Sequence, residues 1–187
     1  MGATFTHAEI EDGAIEEFSR GLLQFVARGI AYRAVRNRGT VGGSLAHGGP
    51  AADWVSTMAT IVIRGPAGER RVPAERFLIG AFTSELRATE ILTAIELPRL
   101  SAAAGWGYYR VCRKTGKFAK AIGVTIKDLR LFRILAGSTE GRPLLLPRSA
   151  EALASRGPGQ AARHAREEIW PNPADRRRPI RWRVSVE

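Results

Sequence analysis

The stretch Gly39-Thr40-Val41-Gly42-Gly43-Ser44 constrains this chain more than any other six residues, because three of its positions carry no side chain. Glycine tolerates positive φ and loses the most freedom on folding, so such a stretch interrupts regular structure. It separates a helical opening from a strand-rich continuation. A loop of this kind also lets several backbone N–H groups converge on one point, where a phosphate is held and a Cβ would block the approach. By itself the pattern is weak, since most Gly-Gly-Ser loops are turns with no ligand.

Before the loop, Thr6-His7-Ala8-Glu9 reads as a capping box, with hydroxyl and carboxylate exchanging hydrogen bonds with each other's backbone. Ile15, Phe18, Leu22, Phe25 and Val26 then recur at helical spacing, which predicts one helix ending just before Gly29, a residue suited to a left-handed stop. After the loop, residues 45–47 and 50–58 look like a short helical entry. Residues 60–64 are β-branched, Gly65-Pro66-Ala67-Gly68 supplies a turn and residues 70–72 return, which predicts a hairpin. Residues 73–78 suggest a helical turn. Ile91, Thr93, Ile95 and Leu97 alternate onto one face of a strand until Pro98 stops it. Small residues at 101–105 join this to three further segments, 106–113, 118–127 and 131–136, of strand or mixed character. The expected fold class is α+β, with no internal repeat.

A chain of 187 residues, 44% hydrophobic, can build one medium core or two small ones sharing an interface. No run of about 18 apolar residues is present to span a bilayer, and the first residues lack the basic-then-apolar pattern of a secretory signal. The expectation is a soluble, cytoplasmic protein. Cys112 is the only cysteine, which leaves no intrachain disulfide, no cysteine zinc site and no ligand set for an iron–sulfur cluster. Any metal redox centre belongs to another chain.

The net charge is +11, a value that attracts nucleic acid, anionic membrane or an acidic partner. Much of it lies late in the chain, at Arg163, Arg166, Arg176, Arg177, Arg178, Arg181 and Arg183, in a segment read as a solvated or disordered tail. Nucleic-acid binding is set aside because no recognition motif or aromatic platform accompanies the arginines. Trp106, Tyr108 and Tyr109 read as core at a strand start. His47 has no partner carboxylate in evidence and reads as structural.

Context sharpens the glycine loop. Residues 35–47, Val-Arg-Asn-Arg-Gly-Thr-Val-Gly-Gly-Ser-Leu-Ala-His, followed by Pro50-Ala51-Ala52-Asp53, resemble the signature of the FAD-binding (medium) subunits of molybdopterin dehydrogenases, the aerobic carbon monoxide dehydrogenase and xanthine dehydrogenase family. Residues 2–11, 77–98, 107–119 and 136–143 are similar to further segments of that family in the same order. The resemblance implies the second lobe of a PCMH-type FAD-binding domain over residues 1–98 and a linker at 99–105. A small α+β domain similar to the carbon monoxide dehydrogenase flavoprotein C-terminal domain would follow over 106–150, then a divergent basic tail over 151–187. It implies that Thr40, Gly42, Gly43 and Ser44 bind the FAD pyrophosphate and adjoining sugar, that Asp53 accepts from a ribityl hydroxyl, and that Arg110 stands near a family lysine facing the flavin. It implies no acid–base catalyst. The partners implied are a molybdopterin-binding large subunit and an iron–sulfur small subunit, with electrons passing through FAD to an external acceptor.

The sequence departs from the pattern in places. The family's first lobe, with a second glycine-rich loop, is expected from another chain. The segment between Asp53 and Arg64 looks several residues short. Gly49 replaces the usual acidic residue before Pro50, Arg110 replaces lysine with a planar fork, and the Arg-rich end resembles nothing in the family. The alternative function is a degenerate fragment or structural interaction subunit that docks to partners without FAD.

Overall fold

The computed structural model describes residues 1–49, 52–114, 116–129, 131–138 and 142–171. Thr6 caps helix α1 (His7–Glu11) as expected. Its hydroxyl accepts from the Glu9 amide at 3.1 Å, and the Glu9 carboxylate accepts from the Thr6 amide at 2.8 Å. The helix this starts is short, not the long one predicted. Gly13 takes φ +77°, and the Glu17 carboxylate then gathers the amides of Ser19 and Gly21 at 2.5 and 2.7 Å. A carboxylate that collects local amides offers the backbone an alternative to the helix ladder. Helix α2 (Leu22–Gly29) begins only after this loop and buries Leu22, Leu23, Val26 and Ala27. Gly29 is its last residue rather than a left-handed stop, and extended Ile30 takes the cap position.

Helix α3 (Arg33–Arg36) is tied back to α1 by a buried arginine. Arg36 Nε donates to Glu11 Oε2 at 2.7 Å, and its Nη1 donates to the carbonyls of Ile30 and Ala31 at 2.9 and 3.0 Å. Helix α4 (Val41–His47) starts inside the glycine stretch, so what reads as a loop in sequence is largely the first turn of a helix. A single 3-10 turn, Asp53–Thr57, then leads into strand β1 (Thr60–Gly65).

Strand β1 pairs antiparallel with β2 (Gly68–Pro73), the predicted hairpin, in the register Thr60↔Pro73 to Gly65↔Gly68. Helix α5 (Ala74–Phe77) and the small hairpin of β3 (Leu78–Gly80) and β4 (Thr83–Ser84) follow. Strand β5 (Ile91–Glu96) then pairs with the other edge of β1. Val62 faces Ala94 while Ile63 faces Leu92, so Thr93 is an extra residue in the register. Such a bulge flips the alternation. Leu92 therefore packs toward the core and Ile91 is 64% exposed, which breaks the single apolar face expected of Ile91, Thr93, Ile95 and Leu97.

The second sheet is a meander of β6 (Gly105–Cys112), β7 (Ala119–Asp128), β8 (Leu131–Gly137) and the short β9 (Leu144–Leu145). The residues leading into it are anchored. The Leu100 amide donates to Phe18 O at 2.9 Å, and the Ser101 amide donates to Asp128 Oδ2 at 2.9 Å. Ile122, Val124, Ile126 and Leu135 of this sheet join Ile10, Leu23, Trp54 and Ile61 in one continuous core. Burial of such apolar area is the main term holding the two sheets together.

Helices α6 (Pro147–Arg156) and α7 (Pro158–Ile169) complete the described chain. As far as Ile169, they correct the solvated or disordered tail expected of the segment that carries Arg163 and Arg166. Each helix starts on proline, whose fixed φ suits a first turn. The buried positions are small, Ala150, Ala152 and Ala161, which allows close approach and gives little hydrophobic signal in sequence. The Glu168 carboxylate of α7 caps α6 by accepting from the amides of Arg148 and Ser149 at 3.0 and 2.9 Å. Arg163 and Arg166 sit exposed on α7, while Arg176, Arg177, Arg178, Arg181 and Arg183 lie outside the described residues. No helix among the described residues is long and apolar enough to cross a membrane.

Candidate functional site

The glycine stretch is held from one side by the first residues of the chain. The Val41 amide donates to Phe5 O at 3.0 Å, the Gly42 amide to Ala3 O at 2.8 Å and the His7 amide to Gly39 O at 2.9 Å. On its other edge the same segment pairs with β5, the Ala3 amide donating to Thr93 O at 3.0 Å. Residues 1–7 thus stitch the start of α4 to the first sheet. Thr40 caps α4, its hydroxyl accepting from the Gly43 amide at 3.0 Å, and the Ser44 amide donates to Thr40 O at 2.9 Å.

Two glycines in this turn do different work. A Cβ on Gly42 would stand 2.6 Å from Ala3 Cβ and 2.8 Å from Ala3 O, so Gly42 is bare because another piece of backbone lies against it. Gly43 faces outward, and a Cβ there would meet only the Thr40 hydroxyl, at 2.9 Å. The amides of residues 41–44 all have acceptors within the chain. What the turn presents outward is a bare Gly43 between the hydroxyl-bearing Thr40 and Ser44, at the positive end of a helix.

Asp53 opens the 3-10 turn, and its side chain is only 8% exposed. The Tyr108 hydroxyl donates to Asp53 Oδ1 at 2.5 Å, and Arg110 Nη1 stands 3.6 Å from the same oxygen. Burial pushes the Asp53 carboxyl above its ordinary range, opposed by the charge of Arg110 and the bond from Tyr108. Burial, with the adjacent Asp53 carboxylate, likewise pushes the Tyr108 phenol up. Arg110 also donates to Gly29 O and, at 2.6 Å, to Lys117 O, while its Nε is buried with no hydrogen-bond partner.

Strand alternation explains the grouping. Trp106, Tyr108 and Arg110 share the inward face of β6, where the Phe25 ring lies 5.2 Å from Trp106 and 5.8 Å from Tyr108. Tyr109, expected in the core, points the other way and is 74% exposed.

The predicted residues therefore form two groups: Thr40, Gly42, Gly43 and Ser44 at the start of α4, and Asp53 with Arg110 at the second sheet. The connection between them is a pair absent from the sequence reading. Trp54, next to Asp53, donates from Nε1 to His7 Nδ1 at 3.2 Å, and the His7 ring would lie 3.1 Å from a Cβ on Gly39. Because Nδ1 accepts, the imidazole proton sits on Nε2. Burial, and then the charge of Arg36, push the His7 pKa down to about 4. No local pattern links positions 47 residues apart, so only the fold shows the pair. Tyr108 was likewise missed as a site residue. His47 is exposed, with its ring 5.1 Å from that of Phe82.

The fold is an α+β lobe with a hydroxyl-flanked glycine turn at a helix start, backed by antiparallel sheets. Residues 1–100 match the family described as the FAD binding domain in molybdopterin dehydrogenase, and the chain belongs to that family. It is 36% identical over 125 residues to the carbon monoxide dehydrogenase medium chain of Hydrogenophaga pseudoflava, covering 65% of this chain and 44% of that one. It is 30% identical over 162 residues to the nicotine 6-hydroxylase medium subunit of Paenarthrobacter nicotinovorans, covering 82% and 56%. The chain thus spans about half the length of the curated relatives it matches.

Among solved structures, the fold is similar to one of carbon monoxide dehydrogenase from Hydrogenophaga pseudoflava, with a TM-score of 0.79 and 30% identity over 89% of this chain and 61% of that one. It is also similar to quinoline 2-oxidoreductase from Pseudomonas putida 86, with a TM-score of 0.76 and the same identity and coverage. A likeness over 89% of the chain exceeds what residues 1–150 alone supply, so it takes in part of the segment expected to be divergent.

Proposed function

We propose that this chain is an FAD-binding electron-transfer subunit of a molybdenum hydroxylase complex, taking electrons from iron–sulfur clusters on a small subunit and delivering them to an external acceptor. A molybdopterin-binding large subunit would carry the substrate chemistry. The observation that carries the reading is the family match over residues 1–100, which contains both Gly43 and Asp53.

The residues present suit the cofactor at two places. Gly43 offers a side-chain-free surface flanked by Thr40 and Ser44, matched to a pyrophosphate. The orphaned Nε–H of Arg110, beside the buried Asp53 carboxylate, offers a donor and an acceptor to the polar atoms of a flavin and its ribityl chain. Bound FAD supplies a ring that accepts electron pairs and returns them singly or in pairs. The residues of this chain bind and orient it: the hydroxyls of Thr40 and Ser44 donate to phosphate oxygens, and Asp53 accepts from a sugar hydroxyl. None of them moves a proton in the reaction.

A second reading is a structural subunit that docks without FAD. The specific observation in its favour is that the amides of residues 41–44 are already bonded within the chain, so the phosphate gains few backbone donors. Flavin content separates the two readings. Gly43→Val places branched carbons where the phosphate would lie, and FAD bound to the purified protein, measured by absorbance after denaturation, should fall to background. Equal flavin in Gly43→Val and parent overturns the assignment of this turn to FAD. Gly43→Ala serves as the control for the Thr40 cap.

A further inference from the structure

The contact between Asp53 and Tyr108 joins residues 55 apart in sequence and belongs to different sheets' surroundings: Asp53 precedes β1, while Tyr108 lies at the middle of β6. The side-chain contacts to the carboxylate, from Tyr108 and from Arg110, are both made at Oδ1, and the Asp53 backbone adds a local hydrogen bond. A carboxylate this deeply buried is costly unless its charge is compensated, and its rotation about χ2 is broad unless a partner fixes it. Arg110 is a poor fixer. Its Nη groups are committed to Gly29 O and Lys117 O, and it approaches Asp53 no closer than 3.6 Å. The short Tyr108 bond sets the plane of the carboxylate instead. Tyr108 is itself held, since its ring packs on Phe25, which also meets Trp106, and the Trp106 Nε1–H donates to Arg20 O at 2.8 Å.

Resting on the reading of Asp53 as an FAD ligand, we infer that Tyr108 is a positioning residue for the flavin site: its hydroxyl fixes the Asp53 carboxylate so that the carboxylate meets the cofactor in one orientation. The second sheet then shapes the cofactor site of the first. Tyr108 need not touch FAD to act.

The test compares the parent chain, Tyr108→Phe, Asp53→Ala and the double variant by FAD titration with flavin fluorescence quenching, and by thermal unfolding without FAD. Tyr108→Phe removes one oxygen and should weaken FAD binding about 10-fold, the ~1.4 kcal/mol of one hydrogen bond to a charged group. Asp53→Ala should weaken it at least as much, and adding Tyr108→Phe to Asp53→Ala should cost no further affinity, because the carboxylate that Tyr108 positions is already gone. Tyr108→His, which keeps a donor, should recover part of the loss and guards against a variant that fails to fold. Unchanged affinity in a folded Tyr108→Phe protein overturns the inference, as does a double variant that loses the product of the two single factors. Failure of the parent to quench flavin fluorescence, alone and together with a chain supplying the first lobe, overturns the FAD reading and takes the inference with it. An unchanged Asp53→Ala affinity removes only Asp53 from the site, and with it the role of Tyr108.

Discussion

Trp54 and His7 meet as tilted rings, centroids 5.6 Å apart, the indole Nε1–H donating to His7 Nδ1 at 3.2 Å. The bond requires a neutral imidazole, because a protonated ring has no acceptor to offer. The two residues therefore make the support of the glycine turn sensitive to acid.

The His7 pKa lies near 4 in the folded protein, below its ordinary value of 6.5. Between these values the unfolded chain binds more protons than the folded one, so stability rises with pH across the window. The contribution is complete above about pH 6.5 and is lost as the pH falls through about 4, with a size on the order of 1–2 kcal/mol after solvent screening. His7→Gln keeps an acceptor for Trp54 and removes the titration. Its melting temperature should fall less than the parent's between pH 7 and 4.5, and parallel curves would exclude His7 as the titrating support.

Gly42 and Gly43 should respond unequally to alanine. Gly42→Ala drives a methyl group into Ala3 and should cost about 1–3 kcal/mol, the usual range for overpacking. Gly43→Ala meets only the Thr40 hydroxyl and gains helix propensity of up to about 1 kcal/mol, so its stability should stay close to the parent's. Urea midpoints of the two variants decide this.

Glu168 supplies acceptors for two amides at the start of α6, where no residue of α6 itself caps. Glu168→Ala should lose about 1–2 kcal/mol, comparable to removing a helix cap. It should also speed proteolytic cleavage near Gly157, between α6 and α7. Cleavage at the parent rate would show that the helices are held by their alanine packing alone.

Arg36→Ala should destabilise the chain by about 2–3 kcal/mol, because it leaves two carbonyls without a donor and the partly buried Glu11 with only the more exposed Arg33. Arg33→Ala, at the exposed side of the same cluster, should change stability far less. Thermal unfolding of the two variants provides the comparison.

Local patterns carried much of this fold into the sequence. Thr6 and Glu9 are three residues apart and cap α1 as they must, and the hairpin around Gly65 and Gly68 is set by its turn residues. The glycine turn was legible for the same reason, although the amides expected to face a ligand are used inside the chain. What escaped the sequence was decided by contacts far apart. Glu17 breaks the expected helix only because Ser19 and Gly21 can turn toward it. The bulge at Thr93 depends on pairing with β1, and the packing of α6 on α7 depends on alanines that carry almost no periodic signal. The site divides the same way. Asp53 and Arg110 stood out by resemblance, while Tyr108 and His7 acquire meaning only from partners 55 and 47 residues distant.

The missing side chain at Gly42 has a consequence for engineering. Because Ala3 fills the space that a Cβ would take, the turn is completed by residues almost forty positions earlier in the chain. A peptide or graft carrying only residues 35–53 would bring the signature but leave the Val41 and Gly42 amides without their acceptors and the turn without its neighbour. Transplanting this site onto another scaffold therefore means moving two strips of backbone together, and a library that randomises residues 2–5 would alter the turn as surely as one that randomises the glycines.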